Sequence, residues 1–501
     1  MSEQLINARK YETENEKKIE MLDRPAFHLS SRVGWMNDPN GFSYYKGQYH
    51  MFYQNHPYDA TWGPMHWGHA VSKDLLDWTY MPVALAPDEY YDANGCFSGT
   101  AIENDKGEHL LIYTSVMTRT LEDGSKKDFQ QQSIAIGDGE NYKKYEANPV
   151  IATSQIPEGL SVVDFRDPKI WIGNDGIYRC IIGAKDMNDN GKILLFKSKD
   201  CIHWQYIKVF ASNNGSYGKM WECPDFFQLD GKAVLIVSPQ DMLPVGFEFH
   251  NGNGTLCLIG EYDEEKDIFT PEYYQSVDYG IDFYAPQSVE TDDGRRVMIG
   301  WMQNWDTSGG HNHNDPYFGQ MSLPRELRVI NNRLYQYPIK ELDNLRGEKT
   351  EYKDILIGDS TDEISLEGIE GRTIDMEIEL EAVDADNLYD KFVISMAKNE
   401  NFHTDFIFRP KESVVKVDRK FSGSRRALVH QRRAEIASKT GKLKARFILD
   451  RYSIEVFLED GRQVMSTTIT TDLKADKITF QSFGKVKMNV VKYDLAERGS
   501  K

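Results

Sequence analysis

The stretch Trp35-Met36-Asn37-Asp38-Pro39-Asn40-Gly41 fixes an aspartate between a side-chain amide and a proline. Pro, Asn and Gly are the residues of tight, rigid backbone, so this carboxylate is held in place rather than left on a mobile surface. The same grammar returns as Arg166-Asp167-Pro168 and as Trp221-Glu222-Cys223-Pro224. Asp38 and Asp167 are 129 positions apart, and Asp167 and Glu222 are 55 apart. Two units and then one unit of a repeat of about 60 residues would produce those intervals.

Around these motifs the chain reads as short apolar or alternating runs punctuated by Gly, Asp, Asn and Pro, the texture of an all-β architecture. The runs fall into groups at Trp35 to Leu85, Cys96 to Val150, Asp164 to Phe210, Trp221 to Val277 and Asp282 to Tyr337. Each group has room for four strands, which predicts a five-bladed β-propeller over residues 25–337. A second repeat agrees: Ser72-Lys73-Asp74 with Trp78 recurs as Ser198-Lys199-Asp200 with Trp204, 126 residues on. First strands of blades line a propeller's channel, so Asp38, Asp167 and Glu222 would converge from the first, third and fourth blades.

A polar helix is expected within residues 1–24, with Leu5, Ile6, Ile19 and Leu22 as a thin apolar stripe. After a short helical linker at 338–348, further strands without helices predict a C-terminal β-sandwich over 349–501. The 59 Lys and Arg residues against 78 Asp and Glu give a net charge of −19. That charge argues against nucleic acid and anionic membrane as partners and favours a small neutral ligand. No apolar run of about 18 residues and no apolar signal segment near Met1 is present, so a cytoplasmic protein is expected.

Cys96, Cys180, Cys201, Cys223 and Cys257 form no CxxC pair and are read as reduced and buried. His66 and His69 lack a third ligand at metal spacing, and no metal or other cofactor is implied. A single carboxylate among 78 is ordinarily solvated surface. Three of them in one repeated setting are a different matter.

The motifs resemble those of glycoside hydrolase family 32: WMNDPNG, RDP and ECP in that order. Phe97-Ser98-Gly99, Trp62 through His69, Asp282-Phe283-Tyr284-Ala285, Ile299-Gly300-Trp301-Met302 and Met321 through Leu327 also look like the family's. Asp450 through Phe457, DRYSIEVF, is similar to the signature of its C-terminal sandwich. The resemblance implies a retaining β-fructofuranosidase with Asp38 as nucleophile, Glu222 as acid/base and Asp167 as transition-state stabiliser. Breaking a fructofuranosyl ketal needs one ionised carboxylate to attack C2 and one protonated carboxyl for the leaving oxygen. Mutual repulsion is expected to raise Glu222, and Arg166 to orient Asp167.

Asn37, Gln54 and Ser98 are candidates for the ring hydroxyls. Trp35, Trp62, Phe97 and Trp301 would supply flat walls, with Asp282 and Tyr284 completing the pocket. Cys223 is assigned packing and local tuning. The chain reads Pro316-Tyr317-Phe318-Gly319 and Asn55-His56-Pro57 where relatives commonly differ, which leaves the leaving group open. Sucrose and short fructo-oligosaccharides are the leading substrates. Sucrose 6-phosphate, fructosyl transfer and a fructan-binding protein without catalysis are the alternatives. An oligomer is left open.

Overall fold

The computed structural model describes residues 1–308, 315–358, 360, 362–423 and 428–497. Five sheets follow one another along the first two thirds of the chain, each built on four antiparallel strands. Their first strands are Gly34–Tyr45, Gly95–Glu103, Leu160–Ile172, Trp221–Leu229 and Tyr284–Glu290. Each touches the next and the fifth touches the first, which closes a five-bladed propeller around a channel. The seam is reinforced by Tyr317–Phe318, which adds to blade 1 as a parallel strand opposite Gly34 and Trp35.

The blades are buried on both faces, which explains why runs such as Lys232–Pro239 read as continuously apolar. Strand periodicity sends neighbours to opposite sides. Ile182 packs against Leu110 and Ile112 of blade 2, while Ile181 packs toward Leu235 and Val237 of blade 4. Val234 and Ile236 turn the other way, onto Phe283 and Met298 of blade 5. Every gap between blades is therefore an apolar core of its own.

The Ser-Lys-Asp repeat is a repeated turn. Ser72 Oγ donates to Asp74 Oδ1 at 3.1 Å, and Ser198 Oγ to Asp200 Oδ1 at 3.0 Å. Both aspartates also accept the amides two and three residues on, and Leu75 and Cys201 share a left-handed φ of 66° and 61°. The motif links the third and fourth strands of blades 1 and 3.

The N-terminal helix spans Glu3–Asn15, capped by Ser2, and packs Leu5 and Ala8 on Val83 and Ala86 of blade 1. Ile19 and Leu22 lie beyond its end, because a three-residue 3₁₀ turn, Glu16–Lys18, redirects the chain. Among the described residues no helix is long and apolar enough to cross a membrane.

A 3₁₀ helix, Lys340–Leu345, leads to two sheets of six and five strands packed face to face as a β-sandwich. Where Glu363–Leu366 reads as a strand in the sequence, only a bridge from Ile364 to Phe480 forms. The sandwich is riveted to the propeller by a buried ionic network. His28 Nδ1 lies 2.7 Å from Asp450 Oδ2 and Nε2 lies 3.0 Å from Glu455 Oε1, all side chains fully buried. Arg325 Nη1 reaches Asp278 at 3.0 Å, and its Nε reaches Glu455 Oε2 at 3.0 Å. With a carboxylate on each ring nitrogen, both nitrogens of His28 act as donors and the ring is an imidazolium. Burial opposes that charge, but the bonds to Asp450 and Glu455 outweigh it and raise the pKa to about 9. The DRYSIEVF motif thus supplies two carboxylates to a domain joint.

Candidate active site

Each inner strand is interrupted at the same level. In blade 1 Met36 pairs with Asn55 and Pro39 with Tyr53, so Asn37 and Asp38 together face Gln54. Asp167 and Pro168 are the extra pair in blade 3, Cys223 and Pro224 in blade 4, and Ala285 and Pro286 in blade 5. In blade 2 Ser98 is the extra residue between Phe97 and Gly99. These are β-bulges, which bend a strand and re-aim its side chains. Proline suits them because it has no N–H to withhold from the ladder. Asp167, Cys223 and Ala285 take φ of 67°, 48° and 51°, a conformation that non-glycine residues adopt at a cost.

The bulges of blades 1, 2 and 3, with Glu222 beside that of blade 4, open onto a cavity of about 580 Å³, within the range of small-molecule sites. Asn37, Asp38, Gln54, Trp62, Phe97, Ser98, Arg166, Asp167 and Glu222 border it. Trp62 is half exposed at the rim and meets Phe97 edge-on at 6.0 Å. Polar groups and flat faces thus surround one opening, the composition expected of a polyol site.

Asp38 is held at both oxygens: Ser98 Oγ donates to Oδ2 at 2.7 Å and Asn37 Nδ2 to Oδ1 at 3.0 Å. Asn37 is in turn oriented by Trp35, whose indole N–H donates to its Oδ1 at 2.7 Å. Glu222 accepts Arg166 at Oε1, from Nε at 3.0 Å and Nη2 at 2.8 Å, and the Tyr284 hydroxyl at Oε2 at 2.5 Å. Asp167 accepts the Cys223 amide at 2.9 Å. The Cys223 thiol lies 3.4 Å from Asp38 Oδ2 and 3.6 Å from Asp167 Oδ2. Burial keeps that thiol protonated, so it is a donor between two carboxylates.

The upward shift expected of crowded carboxyls is found at Asp167 and Asp38. Burial raises Asp167 to about 7, with Arg166 opposing and Glu222 and Asp38 adding to the rise. Burial also raises Asp38, against the hydrogen bond from Ser98. Arg166 meets Glu222 rather than Asp167, because Arg166 stays in the ladder opposite Gly183 while the bulge turns Asp167 away.

Trp35, Asp282, Tyr284 and Trp301 lie outside the cavity lining. Trp35 and Tyr284 act one layer back, through Asn37 and Glu222. Trp301 is buried behind Trp35 at 5.9 Å, and Trp305, 5.0 Å from Trp301, forms the wall instead. Asp282 binds the sandwich: it accepts the Thr468 amide at 2.7 Å and pairs with Arg419, while Thr307 donates to its other oxygen at 2.9 Å. Its carboxylate is fully buried in that joint.

Gln130, Asp164, Gln240, Asp241, Asn253 and Trp305 also line the cavity without having been singled out in the sequence. Gln130 comes from the third strand of blade 2, Asp164 from the first strand of blade 3 ahead of its bulge, and the other four from loops, and no motif marks any of them. His66 and His69 do not share a centre: His66 Nδ1 bonds the Pro64 carbonyl at 2.9 Å and His69 Nε2 meets His50 at 3.0 Å. Among the described residues no group of three or more His, Cys, Asp or Glu side chains is placed to hold a metal ion.

Two family models cover nearly the whole chain: glycosyl hydrolases family 32 N-terminal domain over residues 28–338, and glycosyl hydrolases family 32 C terminal over 341–496. A raffinose invertase of Escherichia coli is 34% identical over 89% of this chain and 89% of its own length. A sucrose-6-phosphate hydrolase of Bacillus subtilis is 34% identical over 97% of this chain and 98% of its own length. Among solved structures, a mutant of a Bombyx mori β-fructofuranosidase in complex with sucrose superposes with a TM-score of 0.83 at 34% identity, covering 98% of each chain.

Proposed function

The chain belongs to glycosyl hydrolase family 32, and from that premise we propose that it is a retaining β-fructofuranosidase. It removes terminal non-reducing β-D-fructofuranosyl units from sucrose and short fructo-oligosaccharides. The observation that carries this reading is the meeting of Asp38, Asp167 and Glu222 in one cavity from three different blades.

A carboxylate oxygen of Asp38 attacks C2 while the bond from C2 to the leaving oxygen breaks, and that oxygen takes the proton of Glu222. Water then attacks C2 of the fructosyl ester, Glu222 takes the water's proton, and Asp38 is released. Ser98 and Asn37 hold the nucleophile's two oxygens, which limits the orientations it must abandon on attack. Asp167 accepts fructose hydroxyls and faces the positive charge that develops on the ring. Arg166 and Tyr284 fix both oxygens of the acid/base. Residues 25–337 are the catalytic unit in this reading, and the sandwich over 349–501 braces it. Five free, buried cysteines support action in a reducing compartment such as the cytoplasm.

Two measurements test it. Substituting Asp38 by Ala abolishes turnover and leaves sucrose binding detectable, so retained activity refutes the nucleophile assignment. In NMR of the first-formed fructose the β-anomer leads, and an initial α-anomer refutes retention.

A further inference from the structure

The charge around the cavity bears on the half of the substrate that leaves. Among the described residues, five that line it are carboxylates, Asp38, Asp164, Asp167, Glu222 and Asp241, against one lining cation, Arg166. Arg166 has no free edge: Nε and Nη2 are on Glu222, and Nη1 is 3.2 Å from Gln130 Oε1 and 3.3 Å from Asp164 Oδ1. A phosphate needs such an open, paired donor edge or an uncommitted ammonium.

Among the described residues, two lysines approach the rim, and each is paired with an aspartate of the lining. Lys185 Nζ is 3.3 Å from Asp164 and 3.0 Å from Asp189, and Lys219 Nζ is 3.3 Å from Asp241. Glu222 is the group that faces the leaving oxygen, and the strand paired with it at Ser238 runs on to Gln240 and Asp241, so the wall on that side is made by the amides Gln240 and Asn253, by Asp241 and by Trp305. Amides and aromatic faces are the chemistry of an uncharged polyol.

This edge is built. A bridge between Met242 and Gly252 places Asp241 and Asn253 side by side across two strands of a loop. Asp306 clamps Asn253 by its amide at 2.8 Å and its side chain at 3.0 Å, and a Cβ on Gly252 would strike Asp306 at 2.2 Å. Asp241 holds a left-handed φ of 53° there.

We infer that the leaving-group side accepts a neutral hexose or fructose unit and discriminates against a phosphorylated one, with Asp241 a determinant of that preference. This rests on the β-fructofuranosidase reading. Asp241 repels a phosphate dianion and accepts hydroxyls of an uncharged sugar. Because its side chain is exposed, the effect is screened by salt.

The test compares kcat/KM on sucrose and on sucrose phosphorylated at the glucose 6-hydroxyl, for the full chain and for Asp241→Asn and Asp241→Lys. Sucrose is expected to lead by roughly tenfold or more at low salt. The lead should shrink by about threefold in Asp241→Asn and by about tenfold in Asp241→Lys, and it should narrow as salt rises. Turnover of sucrose reports that each variant is folded. A native enzyme that prefers the phosphorylated sugar, or treats both alike, overturns the inference. An unchanged ratio in Asp241→Lys removes Asp241 from it. Release of fructose from neither sugar defeats the β-fructofuranosidase reading itself.

Discussion

Arg166 directs two donors at one oxygen of Glu222, at 3.0 and 2.8 Å, although its neighbour in the chain is Asp167. The guanidinium therefore links two carboxyls: it contacts Glu222 and, through space, opposes the burial that raises Asp167 to about 7.

The sign of the pH dependence follows. Asp167 keeps its proton below about pH 7 and loses it above, and facing the ring's positive charge requires it ionised, so kcat/KM on sucrose should rise as pH rises through that value. In Arg166→Ala the opposing charge is gone, so this acid limb should move upward while kcat drops on the order of a hundredfold. Arg166→Lys should restore part of the limb's position. A limb that stays fixed in Arg166→Ala would dissociate Arg166 from this titration.

Tyr284 donates to the other oxygen of Glu222 at 2.5 Å from outside the cavity lining. Tyr284→Phe should lower kcat about tenfold with little change in KM, the signature of an interaction used at the transition state. Glu222→Gln should cost on the order of 10² to 10⁴ on sucrose. A p-nitrophenyl β-fructofuranoside, whose leaving group needs little protonation, should recover much of both losses. Equal losses on both substrates would argue that Glu222 is not the proton donor.

Asp282 holds Thr468, Arg419 and Thr307 at the joint with the sandwich. Asp282→Ala leaves a buried arginine unpaired, a loss of about 3 to 5 kcal/mol. Thermal melting should show that loss, while KM for sucrose in the folded fraction stays within about twofold. A large rise in KM at unchanged melting temperature would return Asp282 to the sugar site.

His28 makes the domain joint sensitive to alkali. Its folded pKa of about 9 exceeds its unfolded value of 6.5, so it contributes about 3 kcal/mol below pH 6.5 that is lost as pH rises to 9. Melting temperatures between pH 6 and 10 should decline in the native chain. His28→Gln should be less stable at neutral pH and decline less. Parallel pH profiles would exclude the imidazolium as the cause.

The sequence announces what repeats and conceals what does not. Asp38-Pro39, Asp167-Pro168 and Cys223-Pro224 are legible because a bulge in a channel strand needs the same turn chemistry each time. The sandwich and the blades are legible from strand spacing for the same reason. Gln240, Asp241 and Asn253 reach the cavity from a loop whose path depends on one bridge and on Asp306, and neither leaves a local signature. Trp301 and Trp305 are alike in sequence and both pack on Trp35, at 5.9 and 6.1 Å, and only the fold buries the first and brings the second to the cavity.

The five equivalent bulges have a consequence for how the activity can change. Backbone shape at each is set by its place in the ring, while chemistry is set by one or two side chains: carboxylates at Asp38 and Asp167, a hydroxyl at Ser98, a thiol beside Glu222 and a methyl at Ala285. A side chain exchanged at one station is felt at the stations it bonds, Asp38 through Ser98 and Asp167 through Cys223, while the ladder pairings that close the ring do not depend on it, so new reactivity can be tried on this scaffold without rebuilding the ring.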